Sequence, residues 1–150
     1  MITLSIAIVT VTLAAPGFTD FIQQIRLSGA ANALQNAILL TRTEAIRRND
    51  IVDLIAVNDN WENGWMISGA DNAPVLTHEK LHTEFKVNGV LTDGLQHIAY
   101  NGTGRTVTRS NGNATQFGHI ELMLGKHSRI IQINFLGRSR ICNPSMEKSC

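Results

Sequence analysis

The chain has 150 residues, of which 43% are hydrophobic and 17% are charged, and only two are cysteines. This length fits one domain with a core of its own, and the composition excludes a disordered chain. The net charge of +1 conceals an asymmetry, because Lys and Arg number six against ten acidic residues over 1–100 but seven against two over 101–150. The resulting balances of −4 and +5 predict an anionic partner for the C-terminal third.

The first 19 residues contain no charged side chain. Since roughly 20 apolar residues cross a bilayer, we expect residues 1–21 to form a transmembrane segment. Hydroxyl residues dilute its hydrophobicity, and Pro16-Gly17 is expected to kink or weaken the helix. A cleaved secretory signal is one alternative, but no basic residue precedes the apolar run and helical sequence continues directly after it. A buried core helix is the other alternative.

The sequence from residue 18 to residue 49 is amphipathic. Residues that recur in alternating steps of four and three share one face of a helix, and here they are Leu27, Ala31, Leu34, Ile38, Thr41 and Ala45. Arg47 and Arg48 fall in the last turn, where they complement the helix dipole, and Asn49 fits the cap. We therefore predict one long, kinked helix to about residue 48, whose second half belongs to a head domain of residues 22–150.

After Asp50 the helical period disappears, and short runs of β-branched and aromatic residues alternate with turn signals such as Asn88-Gly89. The runs predict strands over residues 51–57, 64–68, 81–87, 95–100, 119–124 and 129–135. A helix followed by short strands is typical of an α+β domain, in which an antiparallel sheet packs on the helix.

Trp61 and Trp65 are expected to be core or sheet-face anchors. Stacking of a nucleobase on one of them is the alternative. The nearby Asp59 and Glu62 would repel phosphates, so the core role is favoured.

The segment from His78 to His82 matches H-E-x-x-H, the zinc-protease pattern in which two histidines one helical turn apart hold the metal. The pattern needs a stable helix, but Pro74 and a strand-like run flank it, so we interpret the match as chance. The stretch 102–105 is too short for a phosphate loop, and no G-x-S-x-G elbow occurs. The sequence therefore predicts neither an enzyme, nor a metal site, nor a cofactor.

Both cysteines, Cys142 and Cys150, lie within the last nine residues. Their pairing is expected only in an oxidising compartment such as the periplasm or the cell exterior, and two free thiols on a flexible tail are the alternative. A zinc site is disfavoured, because no Cys-x-x-Cys pair or nearby histidine completes four ligands.

Five stretches of the sequence form a recognisable series: TLAAPGF at the end of the uncharged start, LLTRTEAIRRND at the helix end, Trp61–Trp65, Ile98–Gly104, and Ile130–Arg140 with its Gly-Arg-x-Arg. In this order they resemble the type IV pilin-like proteins, and within them the FimT and GspH group. The resemblance covers nearly the whole chain. It implies a type IV pilin fold, contacts with major and minor pilins through the N-terminal helix, and a single-pass protein of the inner membrane and periplasm that reaches a cell-surface pilus fibre.

One feature of the family is missing from this sequence. Family members begin with a short basic leader, a processing site after a glycine, and a phenylalanine followed four positions later by an acidic residue. Here Met1 already lies within the apolar run. We expect that the start is truncated or misassigned; the alternative is a protein that is not processed and inserted in the usual manner.

The placement of the arginines near the C-terminus follows from strand alternation. In RIIQINF, over residues 129–135, the odd positions face the core. A two-residue turn at Leu136-Gly137 would pair Arg140 with Ile133 and bury both arginines, at a cost of several kcal/mol each. We therefore expect the chain to continue or bend gently at Gly137, with Arg138 and Arg140 in solvent and Ile141 directed inward.

Other basic residues are close enough in sequence to extend this surface: Lys126, Arg129, Lys148, Arg105 and Arg109. A merely solvated basic surface is the alternative. The resemblance to FimT-like proteins implies that Gly137, Arg138 and Arg140 bind double-stranded DNA, without sequence preference, during uptake in natural transformation. The second hypothesis is a GspH-like pseudopilin of a type II secretion system, with a structural role and protein partners.

Overall fold

A computed structural model of the chain describes residues 2–69, 73–108, 114–147 and 150, with side chains from residue 18 onward. The first element is helix α1 (Ile2–Arg48). Within the described residues nine strands follow: β1 (Val52–Ala56), β2 (Trp65–Ser68), β3 (Pro74–His78), β4 (Phe85–Leu91), β5 (His97–Tyr100), β6 (Thr106–Val107), β7 (Gly118–Leu124), β8 (His127–Ile133) and β9 (Ser139–Cys142).

Helix α1 confirms the prediction of a single helix that ends near residue 48. It is continuous through Pro16. The six residues of the predicted buried face are each at most 1% exposed. Arg47 and Arg48 both contact the Glu44 carboxylate, and Asn49 ends the helix with a φ of +51°. The helix is therefore held to the head by the face that its periodicity predicts.

The apolar segment of residues 1–21 lies largely outside the described side chains, so its role and its boundary stay predictions. Within the described part of the chain, no helix has both the length and the hydropathy needed to cross a membrane.

In the described residues the strands form two antiparallel sheets, ordered β3-β2-β1-β5-β6 and β4-β7-β8-β9. Helix α1 contacts β1 and β5 of the first sheet and β7, β8 and β9 of the second. Buried residues of the helix and of both sheets belong to one hydrophobic core. This is the predicted α+β architecture, with the antiparallel strands packed on the N-terminal helix.

Five predicted strands match β1, β2, β5, β7 and β8 to within two residues at each end, whereas the strand predicted over 81–87 coincides with β4 only at residues 85–87. Strands β3, β6 and β9 were not predicted. The turn expected at Asn88-Gly89 is wrong, because both residues lie inside β4. The absence of a side chain at Gly89 lets Trp61 and Gln96 pack closely against this strand. A Cβ at this position would lie 2.8 Å from Trp61 Nε1 and 2.5 Å from Gln96 Oε1. Glycine in a strand here marks a close approach of neighbouring groups rather than a turn.

The tryptophans occupy the predicted core positions. Trp61 and Trp65 are both buried. The Trp61 indole nitrogen donates a hydrogen bond to Gln96 Oε1 at 2.6 Å, so its polar atom is satisfied inside the core. The structure thus confirms the core role and leaves neither ring exposed for a nucleobase.

Candidate functional site

The turn between β8 and β9 presents the two arginines singled out by the sequence. Asn134 N donates to Arg138 O at 3.0 Å, and Gly137 N donates to Asn134 O at 2.9 Å. The Asn134 side-chain oxygen accepts from the backbone nitrogens of Leu136 at 3.0 Å and Arg138 at 2.9 Å. Gly137 has a φ of +76° and closes a three-residue loop in the left-handed conformation.

The chain therefore reverses direction at this turn, and the expected extension or gentle bend at Gly137 is wrong. The register pairs Gln132 with Arg140 and Ile131 with Ile141. A three-residue loop shifts the pairing by one position from that of a two-residue turn, so the arginines share the polar face of the sheet. The expected exposure of Arg138 and Arg140 is confirmed, and Ile141 packs against the core as predicted.

Contacts from distant parts of the chain fix the position of Gly137. Tyr100 Oη donates to Gly137 O at 2.9 Å, and Arg42 Nη1 of the helix approaches the same oxygen at 3.4 Å. A Cβ at Gly137 would lie 2.8 Å from Gly104 O and 2.8 Å from Tyr100 Cε1. The β8–β9 turn thus rests on the turn of residues 101–105, which brings the backbone of exposed Arg105 beside it.

Strand β9 is held from both faces. On the helix side, Gln35 Nε2 donates to Ser139 O at 3.1 Å. On the outer side, Arg140 Nε donates to Gln132 Oε1 at 2.9 Å, which orients this guanidinium over the sheet. The arginines are therefore presented by a supported strand rather than by a loose tail.

A groove with a volume of 780 Å³ lies beside the turn, where the ends of β4, β7, β8 and β9 meet. We call it the turn groove. It is lined by Val90, Leu91, Thr92, Phe117, Gly118, His119, Gln132, Ile133, Asn134, Arg138, Ser139 and Arg140. Among these described lining residues two are arginines and none is acidic, so the lining carries positive charge, which favours an anion.

The other predicted basic residues do not all join this surface. Lys126 lies in the β7–β8 turn, at the opposite end of β8, and forms an ion pair with Asp20 of the helix. Arg129 pairs across the sheet with buried Leu122, so it is on the face that packs on α1. The single patch expected from the sequence is therefore two groups. Arg109 and Lys148 lie outside the described residues.

The two cysteines form a disulfide, Cys142–Cys150, with a Cα–Cα distance of 5.8 Å. Cys142 is buried at the end of β9, directly after Arg140 and Ile141. The pairing decides between the two alternatives left open by the sequence, and it is the state expected in an oxidising compartment.

The H-E-x-x-H segment does not have the conformation that its zinc pattern requires. His78 ends strand β3 and stacks on Trp65 with the ring centroids 4.0 Å apart, and residues 79–82 are not helical. In the described residues, no three or more His, Cys, Asp or Glu side chains are placed to hold a metal ion. The segment therefore does not present two histidines one helical turn apart, and the interpretation of the match as chance stays a prediction.

Sequence reasoning missed Arg42, Tyr100 and Phe117 as parts of this site. Arg42 and Tyr100 act on a glycine that lies 95 and 37 residues away, so no local pattern indicates them. The Asn134-x-x-Gly137 spacing is a local signal that could have predicted the three-residue loop.

Comparisons with known proteins agree with this architecture. The family model described as type II transport protein GspH matches residues 30–137. The crystal structure of the type IV minor pilin FimU from Pseudomonas aeruginosa PAO1 in space group P21 is similar, with a TM-score of 0.66, 21% identity, and coverage of 83% of this chain and 94% of that one. The P65 crystal form gives a TM-score of 0.61 and 22% identity, over 79% and 94%. No curated protein sequence is significantly similar.

Proposed function

Because the chain belongs to the GspH family and has the fold of a type IV pilin, we propose that it is a minor pilin that binds extracellular double-stranded DNA for uptake in natural transformation. The observation that carries this proposal is the turn groove, whose described lining residues include two arginines and no acidic side chain. A guanidinium binds phosphate oxygens through two parallel hydrogen bonds. Such contacts do not depend on base sequence, which suits the uptake of arbitrary DNA.

The helix supports incorporation in a fibre. Phe18, Phe21 and Ile25 are exposed large apolar residues at spacings of three and four, so they form a stripe on one side of α1. The helix of a neighbouring major or minor pilin would cover this stripe. We infer that the protein is a single-pass inner-membrane protein with a periplasmic head before assembly, and part of a cell-surface pilus fibre afterwards. The disulfide fits both of those oxidising locations.

DNA binding is tested by measuring the affinity of the full chain for a duplex at several salt concentrations. We expect the variant Arg138→Gln, Arg140→Gln to bind more weakly. Its plot of log affinity against log salt should flatten by about 0.9 for each phosphate that the protein no longer neutralises, or about 1.8 if each arginine neutralises one. Thermal unfolding should be nearly unchanged, because both side chains are exposed.

The matched control removes the same amount of charge from the other group, in Lys126→Gln, Arg129→Gln. We expect this variant to keep most of the salt dependence, since its residues lie at the opposite end of β8. Equal losses in the two variants would show that binding follows net charge alone and would overturn the assignment to the turn groove. Unchanged binding in the Arg138, Arg140 variant would overturn it as well.

The second candidate is a minor pseudopilin of a type II secretion system, which would have a structural role and contact protein partners. The description of the matching family, a type II transport protein, favours it. This candidate predicts no salt-dependent DNA binding by the full chain. Both candidates are structural or binding roles, and the prediction that the protein is not an enzyme stays a prediction.

A further inference from the structure

The turn groove is more than a basic surface, because apolar side chains line it beside the arginines. Val90, Leu91, Ile133 and Phe117 contribute to its walls. Phosphate contacts along an intact duplex need only cationic and polar donors on an accessible surface. The combination of positive charge and apolar wall instead fits a ligand that is anionic at one end and flat and apolar at the other.

Phe117 is the most informative residue of this wall. Its side chain is 51% exposed although it is a large aromatic group. Its backbone is nevertheless held tightly: Phe117 O accepts from Thr92 N at 3.0 Å and from Thr92 Oγ1 at 2.6 Å, and Phe117 N donates to Thr92 Oγ1 at 3.1 Å. The ring is therefore presented to solvent from a fixed backbone position.

The residue before it strengthens this support. The side chain of buried Gln116 donates to the Asp93 carboxylate at 3.1 Å and to His97 O at 2.9 Å, and it accepts from Ala99 N at 3.3 Å. These bonds tie the start of β7 to the first sheet. A ligand that stacks on Phe117 thus meets a preorganised surface and does not have to order a loop.

We propose that the turn groove binds an unpaired nucleotide of a DNA strand, at a strand end or in a single-stranded stretch, with the phosphate at Arg138 and Arg140 and the base against Phe117. This rests on the proposed function, because it assigns the form of DNA that the same groove prefers. Stacking on an aromatic side chain tolerates every base, so it keeps the binding independent of sequence. The bases of an intact duplex are stacked on one another and do not reach the ring.

The experiment compares three labelled oligonucleotides with equal numbers of phosphates: a single strand, a single strand without bases, and a duplex whose two ends are closed by loops of linker. Fluorescence anisotropy with the full chain gives the affinities. We expect the single strand to bind more tightly than the closed duplex. The strand without bases should bind no more tightly than the closed duplex. This comparison uses only the wild-type protein, so it does not depend on whether a variant folds.

Variants locate the effect. Phe117→Ala should weaken binding of the single strand roughly tenfold, whereas Phe117→Tyr should restore the affinity. Phe135→Ala is the matched control, because Phe135 is 61% exposed at the neighbouring turn but does not line the groove. It should leave the single strand unaffected.

The outcomes separate this inference from the proposed function. Arginine-dependent binding of the closed duplex, together with equal affinities for strands with and without bases, would overturn the unpaired-nucleotide site and leave duplex binding standing. Absence of binding to all three oligonucleotides would overturn both proposals and favour a protein partner.

Discussion

The two ends of strand β8 use positive charge differently. At the β7–β8 turn, Lys126 pairs with Asp20 of the helix, and Arg129 lies on the face that packs on α1. At the β8–β9 turn, Arg138 and Arg140 line a groove in which none of the described lining residues is acidic. One end of β8 thus has a lysine that forms an ion pair with the helix, and the other end has two arginines that line a groove. The difference teaches that the contacts supplied by the fold, and not the sequence position of a basic residue, decide which charges line a groove.

The largest loss of stability is expected from Gly137→Ala, which alters only the end of β8 that carries the turn groove. A non-glycine residue in the left-handed conformation costs roughly 1–2 kcal/mol. The new Cβ would also lie 2.8 Å from Gly104 O and from the Tyr100 ring, so the turn must move. We expect a loss of about 2–4 kcal/mol in the free energy of unfolding, measured with urea, together with weaker DNA binding.

Gly94→Ala is the control for this variant. Gly94 has a φ of +71°, but a Cβ there would meet no atom within 4 Å. It should therefore show the cost of the backbone conformation alone. Equal losses of stability in the two variants would mean that the packing between the 101–105 turn and the β8–β9 turn contributes nothing.

A smaller effect at the same end is expected from Tyr100→Phe. The change removes the hydrogen bond from Tyr100 Oη to Gly137 O and should cost about 1–2 kcal/mol. Burial raises the pKa of the Tyr100 hydroxyl far above its usual value. Since the folded pKa exceeds the unfolded one, the stabilisation is fully present below about pH 10 and is lost as the pH rises towards the folded pKa.

Urea unfolding as a function of pH measures this contribution. The wild type should lose stability above about pH 10 more steeply than Tyr100→Phe, because the variant has no phenol to ionise at this position. Parallel pH profiles would contradict the role of the buried hydroxyl. The binding of DNA near neutral pH should change less than in Gly137→Ala, since Arg42 still approaches Gly137 O.

The parts of the fold that follow from local periodicity could be predicted from the sequence. Leu27, Leu34 and Ile38 repeat with the period of a helix, and their burial needs no knowledge of what packs on them. The core strands were predicted from their runs of β-branched and aromatic residues between turn signals, which are also local features. Strand β9 was missed because SRIC has only four residues and is recognised as a strand by its pairing with β8.

The site was less predictable, because it depends on turn length and on distant contacts. Arg140 changes face when the loop before Arg138 has three residues instead of two. The paths considered from the sequence were a two-residue turn and a continuing strand, and the three-residue loop is neither. The exposure of Arg138 and Arg140 was predicted correctly from the cost of burying a charge. The expected extension of the chain at Gly137 was wrong. The partner of Lys126 lies 106 residues away, so no local pattern separates this lysine from the groove arginines.

The smallest effect is expected from Lys126→Gln, which tests the opposite end of β8. The Lys126 side chain is 66% exposed, so its ion pair with Asp20 is screened by water and salt. We expect a slight decrease in melting temperature at low salt, which disappears near about 1 M salt, where the screening length is about 3 Å. Lys86→Gln is the control, since Lys86 is similarly exposed and lies 4.0 Å from Glu62.

The informative quantity for Lys126→Gln is the salt dependence of DNA binding. Lys126 already pairs with Asp20, so we expect that it neutralises no phosphate when DNA binds. The number of counterions released on binding should therefore be the same in Lys126→Gln, and the log-log slope should stay within error of the wild type. Removal of Arg138 alone should flatten the slope by about 0.9 if this arginine contacts one phosphate. Equal flattening by Lys126→Gln and Arg138→Gln would mean that DNA contacts both ends of β8. The conclusion that only the end at the β8–β9 turn binds DNA would then be wrong.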